Sequence, residues 1–430
     1  MDSDPLEGTD LKSKARMLDT YGNEFQLPQF TMKEIHDAIP KHCFHRSWVR
    51  GLLYVARDFL YLAAIFYTAY TFIRPEYVPN LYARGALWGL YTVVQGMVAT
   101  GVWVLAHECG HQSFSSSKVL NDTVGFILHT SLFVPYFSWK ISHGKHHKAT
   151  GNLARDMVFV PATRDEYASK VGKLAHEIAE LTEETPIFTL GHMVGQQLAG
   201  WILYLMNNVT GHNNHAGQRE GRGKGKQNGW FGGVNHFDPR SPLYEAKDGK
   251  LIFLSDLGLL AMGYFTYVLA QKFGGYNMFV WYWLPYLWVN HWLVAITFLQ
   301  HTDPSLPHYE PEAWNFARGA AATIDREFGF IGRHLMHGIV ETHVLHHFIS
   351  TIPFYNADEA SEAIKPVMGQ HYRADVRGGS LGFLKALWTN SRMCNWVEPS
   401  EGTTGIESKV LFFRNRNGLG VKPAVLQASN

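Results

Sequence analysis

The chain has almost no charge imbalance. Over 430 residues, 38 Lys and Arg stand against 37 Asp and Glu, a formal net charge of +1. Without a basic excess there is no electrostatic footprint for nucleic acid, so no nucleic-acid partner is expected. Cysteine is scarce: Cys43, Cys109 and Cys394 are far apart and odd in number. That argues against a disulfide scaffold and fits a reducing compartment. The first 45 residues lack the apolar run of a secretory signal, so an internal span is expected to act as the membrane signal. No repeat at a solenoid period is evident.

What is abundant is apolar and aromatic surface, 46% and 14% of the residues, yet mean hydropathy is only −0.13. Membrane spans must therefore be joined to large water-exposed parts. Residues 85–106 form the cleanest span, 22 residues without a charge, enough to cross roughly 30 Å of hydrocarbon. Residues 51–73 precede it but carry Arg57 and Asp58. A central charge costs about 2.5–3.5 kcal/mol on insertion scales. Near one end, Arg can snorkel and the pair can partly neutralise itself. Residues 251–271 and 277–300 make a second pair, in which Trp281, Tyr282, Trp283, Trp288 and Trp292 read as interfacial belt aromatics, with pocket lining as the alternative for some of them.

Eight histidines fall into three boxes: His107-Glu-Cys-Gly-His111, His143-Gly-Lys-His146-His147 and His343-Val-Leu-His346-His347. On a helix, residues i, i+3 and i+4 share a face. Each HxxHH can then give one imidazole to one metal and another to its neighbour. Imidazole suits iron, zinc and copper, so two metal ions are expected. If the boxes build one site, an even number of spans separates any two of them. Residues 124–139, with Pro135, are then re-entrant or interfacial, and the amide-bearing run 187–209 does not cross. The expected fold is an all-α integral membrane protein: four transmembrane helices in two hairpins, with a cytosolic helical cap holding a di-metal site. The parts are an N-terminal arm (1–50), the spans with a middle cap (107–250), a C-terminal cap (301–400) and a poorly ordered tail (401–430).

Charge bias sets the orientation. Residues 210–250 hold seven Lys or Arg and the first 50 residues another seven, while 74–84 and 272–276 hold only Arg74, Arg84 and Lys272. The positive-inside rule puts the termini and all boxes in the cytosol. The sequons at Asn121 and Asn208 are then expected to stay unmodified.

His301 ends the last span on the side of the boxes and is read as a ninth ligand. Glu108, Asp156, Asp303 and Asp358 are candidates to orient ligand rings, with His334 and His337 as alternatives. Cys109, at i+2 from His107, faces away. His36, His45, His129, His176 and His371 read as ordinary surface or core residues. A rival class exists, because HECGH is literally the H-E-x-x-H of zinc proteases. That reading leaves both HxxHH boxes unexplained. A haem cytochrome is disfavoured because the boxes lie beyond the span ends.

The boxes, their order and the spans between them resemble the membrane fatty-acid desaturases, and most closely the acyl-lipid Δ12 (oleate) type. The resemblance runs from about residue 30 to 400. It is carried by Ala106-His-Glu-Cys-Gly-His-Gln-Ser-Phe-Ser115, His143-Gly-Lys-His-His-Lys-Ala-Thr-Gly151, Leu299-Gln-His-Thr-Asp-Pro304, Thr342-His-Val-Leu-His-His347 and Pro353-Phe-Tyr-Asn-Ala-Asp-Glu-Ala360. It implies two iron ions held by His107, His111, His143, His146, His147, His343, His346 and His347, with His301 as the extra histidine that some members use. It also implies O2 as oxidant, a phospholipid-linked oleoyl substrate converted to linoleoyl, and an endoplasmic reticulum membrane. Electrons would come from cytochrome b5 and its reductase. No His-Pro-Gly-Gly haem motif occurs, so cytochrome b5 is expected as a separate protein, with the basic residues of 210–250 as its docking surface. Sister activities on the same scaffold are ω3 (Δ15) or bifunctional desaturation and hydroxylation. Assembly into a homo-oligomer is left open.

Overall fold

In the computed structural model, residues 16–167, 186–212 and 233–415 are described. His176 and the basic set Arg219, Arg222, Lys224 and Lys226 lie outside them. Helix α1 (Met32–Ala38) opens on a reciprocal cap between Thr31 and Glu34. Helices α2 (Trp48–Phe72) and α3 (Leu81–Gly110) pack as a hairpin, their first turns capped by the Ser47 and Asn80 side chains. Pro135 separates α4 (Lys118–Thr130) from α5 (Tyr136–His147). Neither is long enough to span a bilayer at 1.5 Å per residue.

Helix α6 (Pro186–Asn207) packs on the last long helix of the membrane region. Helix α7 (Gly249–Phe273) stops at Gly274, whose φ of 91° only glycine adopts readily. Beyond it the expected span 277–300 is not one regular helix. A short turn (Gly275–Met278) leads into a widened π-turn (Phe279–Trp283), then into α8 (Leu284–His301). Pro285 explains the interruption: it has no N–H to give the carbonyl one turn back. The Trp281 carbonyl accepts instead from the Tyr91 hydroxyl at 2.9 Å. Three helices among the described residues are long and apolar enough to cross a membrane: Trp48–Phe72, Leu81–Gly110 and Ala246–Phe273.

The chain is mostly helical but not all-α. After α8 come β1 (Pro307–Tyr309) and β2 (Asp325–Arg326), then α9 (His343–Phe348) and α10 (Phe354–Met368). They are followed by β3 (Ala374–Asp375), α11 (Gly379–Met393), β4 (Trp396–Pro399) and β5 (Val410–Arg414). Strands order β1-β5-β4 in one antiparallel sheet, and β2 pairs with β3 in parallel. Strand β5 corrects the reading of a poorly ordered tail for residues 401–415, since all five of its residues are buried at the centre of the sheet; residues 416–430 lie outside the described ones. The apolar run of β5 is short, and one of its two partners, β1, lies far away in sequence.

The main core joins α3, α6 and α8. Trp103, Leu105 and Ala106 meet Trp292, Leu293, Ala295 and Leu299, with Trp201 and Tyr204 closing one side. Two glycines let backbones touch. A Cβ at Gly96 would stand 2.3 Å from that of Trp288, and one at Gly101 would stand 2.2 Å from the Leu335 carbonyl oxygen. Several of the aromatics read as a belt also make internal contacts. Tyr282 donates to the Ser131 carbonyl at 2.6 Å, Trp288 donates to Thr92 at 3.2 Å, and Trp292 is buried on Phe328. Arg57 and Asp58 pair at 2.7 Å, and buried Asp58 also meets His337 Nε2 at 2.7 Å. His337 therefore serves the α2–α3 packing and not the histidine boxes. His334 likewise meets Tyr61, at 3.3 Å.

Candidate metal centre

The boxes sit where helices end. His107 and His111 close α3, the second box fills the last turns of α5, His301 is the last residue of α8, and the third box is α9 itself. Gly110 is needed beside the first box, because a Cβ there would stand 2.9 Å from the Trp139 ring, which stacks on His143. Short α9 is anchored at its start by Asp325, which accepts from Val344 N–H at 2.7 Å. Burial raises the Asp325 carboxyl to about 7.

Nine imidazoles gather in two adjacent groups. His107, His111, His143, His147 and His346 form one, and His146, His301 and His347 form the other, each with its ligand atoms within 4.8 Å of one another. His343 joins the second group through its Nε2, 2.9 Å from that of His301. The i, i+3, i+4 spacing thus divides: His143 and His147 face one group and His146 the other. The third box divides too, with His346 apart from His347. The rings of His147 and His347 stack at 4.1 Å across the boundary.

This arrangement fits metal ions better than a hydrogen-bond network. The Nε2 atoms of His107 and His147 each lie 3.1 Å from that of His143, and those of His146 and His301 are 3.3 Å apart. Two imidazoles bound at right angles to one ion at ~2.1 Å would stand about 3.0 Å apart. Nε2 of His111, His346 and His347 is buried without a hydrogen-bond partner, each costing ~1–3 kcal/mol unless something accepts the lone pair. Burial and mutual repulsion hold His111, His143, His147, His343 and His347 well below the ordinary histidine range, and His346 at about 3. The rings are therefore neutral at pH 7 and able to bind a cation. Neither group contains a carboxylate.

Of the four acids, only Asp156 meets a box histidine. Its Oδ1 lies 2.6 Å from His146 Nδ1, and the carboxylate also accepts from the N–H groups of Gly151 and Met157. Glu108 is turned away: it accepts from Ser113 and from Phe354 N–H, at 2.8 and 3.0 Å. Asp303 holds buried Arg326 at 2.7 Å, and Asp358 is exposed beside Arg333. Cys109 is buried outside both groups. His36, His45, His129 and His371 also lie outside both groups; His36 and His45 are exposed, His371 is half-buried, and His129 is fully buried against Trp103 and Trp139. The sequence reading missed Thr150, 3.1 Å from His347 Nδ1, and Gln300, which donates to the Ile339 carbonyl at 2.7 Å. Thr150 sits i+4 from His146, a spacing that could have pointed to it.

A cavity opens against both groups. His107 and His143 reach it from the first, His146, His301 and His343 from the second. Its other walls are Trp103 and Val104 of α3, Gly200, Trp201 and Tyr204 of α6, and Leu293, Val294 and Ile296 of α8. The wall hydroxyls of Thr100 and Thr297 donate to the carbonyls of Gly96 and Leu293, both at 2.8 Å. The cavity is mostly apolar, with Gln196, Thr210 and Gln300 among its polar wall residues besides the histidines.

Comparison with known proteins agrees with this picture. The fatty acid desaturase family model matches residues 85–378. An oleate hydroxylase of Claviceps purpurea is 60% identical over 410 residues, 95% of this chain and 86% of that protein. A Δ12 fatty acid desaturase of Mortierella isabellina is 46% identical, covering 88% of this chain and 90% of its own. An endoplasmic reticulum omega-6 fatty acid desaturase of Glycine max is 41% identical, covering 91% and 93%.

Proposed function

We propose a Δ12 regiochemistry for this chain, which belongs to the fatty acid desaturase family and is an oxidoreductase of that kind. In this reading it introduces a cis double bond into oleoyl chains of phospholipid to give linoleoyl chains. It uses O2, takes electrons from cytochrome b5 and its reductase, and resides in the endoplasmic reticulum membrane. The observation that carries the reading is the apolar cavity ending on both histidine groups at once.

The mechanism starts from the substrate. Methylene hydrogens are unactivated, so no side-chain base removes them at neutral pH. Two iron ions, held by the nine imidazoles, would supply the oxidising power. The protein's own residues do the rest. Trp103, Leu293 and Val294 bind and straighten the chain, and position along the cavity decides which carbons face the histidines. The hydroxyls of Thr100 and Thr297 are satisfied by backbone carbonyls and do not compete for the chain. Asp156 holds the His146 ring in one orientation and one tautomer. Engagement of Glu108 by Ser113 and Phe354 speaks against the zinc-protease reading, which needs that carboxylate free to activate water.

Hydroxylation is the second reading, favoured by the 60% identity to an oleate hydroxylase. Both products would come from the same cavity and oxidant. The test is expression in a host that makes oleate but no linoleate, followed by fatty-acid analysis. Linoleate as the main product supports desaturation, and hydroxyoleate moves the assignment to hydroxylation. No new product, with His107→Ala indistinguishable from the parent, defeats both.

A further inference from the structure

Thr150 is buried in the turn that follows α5. Its Oγ1 lies 2.8 Å from the His146 carbonyl oxygen and 3.1 Å from His347 Nδ1. A hydroxyl has one proton and a carbonyl only accepts, so that proton goes to His146. Toward His347 the oxygen then offers lone pairs alone, and Nδ1 must be the donor. Burial and the neighbouring imidazoles hold His347 well below the ordinary histidine range, so the ring is neutral at pH 7 and has a single proton. That proton is on Nδ1. Nε2 is left as a lone pair, buried without a hydrogen-bond partner among the described residues. Thr150 is itself braced: its carbonyl accepts from Trp314 Nε1–H at 2.9 Å, and a Cβ at Gly319 would stand 2.3 Å from the same oxygen. The next residue, Gly151, donates its N–H at 2.8 Å to Asp156, the carboxylate that meets His146 Nδ1. One short turn thus reaches two rings of the same group, His146 and His347. In the other group, the buried Nδ1 atoms of His107 and His147 have no hydrogen-bond partner among the described residues.

We infer that Thr150 is a positioning residue, which fixes the His347 ring in the tautomer that leaves its Nε2 lone pair free for a metal ion of the second group. The inference rests on the di-metal reading above, not on the choice between desaturation and hydroxylation. Without the hydroxyl, His347 either keeps a buried Nδ1–H unpaired or moves its proton to Nε2, where it blocks the lone pair. Both outcomes weaken the hold on one ion and leave the other group untouched.

Ferrous-iron titration of the metal-free full chain against a competing chelator tests it. Thr150→Val removes the hydroxyl at nearly constant volume and is expected to weaken one of two ions by about 10–100-fold. Thr150→Ser keeps the hydroxyl and is expected to bind iron as the parent does. If the Val variant fails to fold, Thr150→Ala carries the same comparison. A double-mutant cycle separates positioning from packing. In His347→Ala, which has no ring to orient, adding Thr150→Val is expected to weaken iron no further. Unchanged iron affinity in folded Thr150→Val overturns the inference, as does a Ser variant as weak as the Val one, or an undiminished loss in the His347→Ala background. A parent that takes up no iron overturns the di-metal reading and the inference together, whereas iron in the parent leaves that reading standing whatever Thr150 does.

Discussion

At the scale of single residues, Asp156 and Glu108 separate orientation from proximity. Both are buried acids close to a box in sequence, but only Asp156 touches a box imidazole. Loss of such a partner costs about 10–100-fold in metal affinity or activity. Asp156→Asn is therefore expected to lower bound iron and turnover to that extent, while Glu108→Gln retains iron, because an amide oxygen can still accept from Ser113 and Phe354. Metal content per chain is the measurement, and equal loss in both variants would refute the distinction. Acid acts on the same site. The buried box histidines outside α3 and α8 with depressed pKa values stay neutral in the fold, whereas unfolded histidines take up protons below about pH 6.5. The unfolded chain then binds more protons, so stability is full above that pH and falls as the pH drops. The metal-free protein is expected to have a lower Tm at pH 5.5 than at pH 8, and a flat profile would contradict this.

At the scale of elements, close backbone approach is what the glycines of α3 provide. Gly101→Ala places a methyl group against the Leu335 carbonyl, a backbone atom that cannot swing away. Overpacking of this kind typically costs about 1–3 kcal/mol. Gly85→Ala and Gly89→Ala, on the same helix with nothing within 4 Å, are expected to be neutral. Thermal unfolding of the three variants in one detergent checks this, and equal Tm values would sink it. The same elements explain what the sequence could and could not reveal. The histidine boxes were legible because helical period and ligand spacing coincide. Helix α6 was legible only as an apolar run with amides; that one of its faces would line the cavity depends on packing against α8. The π-turn needed the conjunction of Pro285 with Tyr91, which are nearly two hundred residues apart. The Asp58–His337 pair is more remote still: mutual neutralisation of Arg57 and Asp58 was legible, but the burial of Asp58 against His337 was not. Strand β5 pairs with a segment about one hundred residues earlier, a contact without local periodicity to announce it.

For the whole molecule, the open matter is how many times the chain crosses. The gathered histidines constrain it, since the C-terminal ends of α3 and α8 meet at one place. Helix α7 leaves that side, so the run from Gly275 to His301 has to return. Its 27 residues rise roughly 40 Å, more than the hydrocarbon thickness of ~30 Å, even with the π-turn. We therefore propose four crossings, with α4, α5 and α6 on or near the cytosolic face. The natural sequons cannot decide this cleanly, because the Asn121 and Asn208 side chains are buried in the fold and a missing glycan there would have two explanations. Introduced sites can. A long Gly/Ser insert carrying a sequon is expected to be glycosylated in the turns at 74–80 and 273–277. The same insert within 416–430 is expected to remain unmodified. Modification of the tail together with an unmodified 273–277 turn would put the ends of α7 on the wrong sides, and the two hairpins would have to be abandoned.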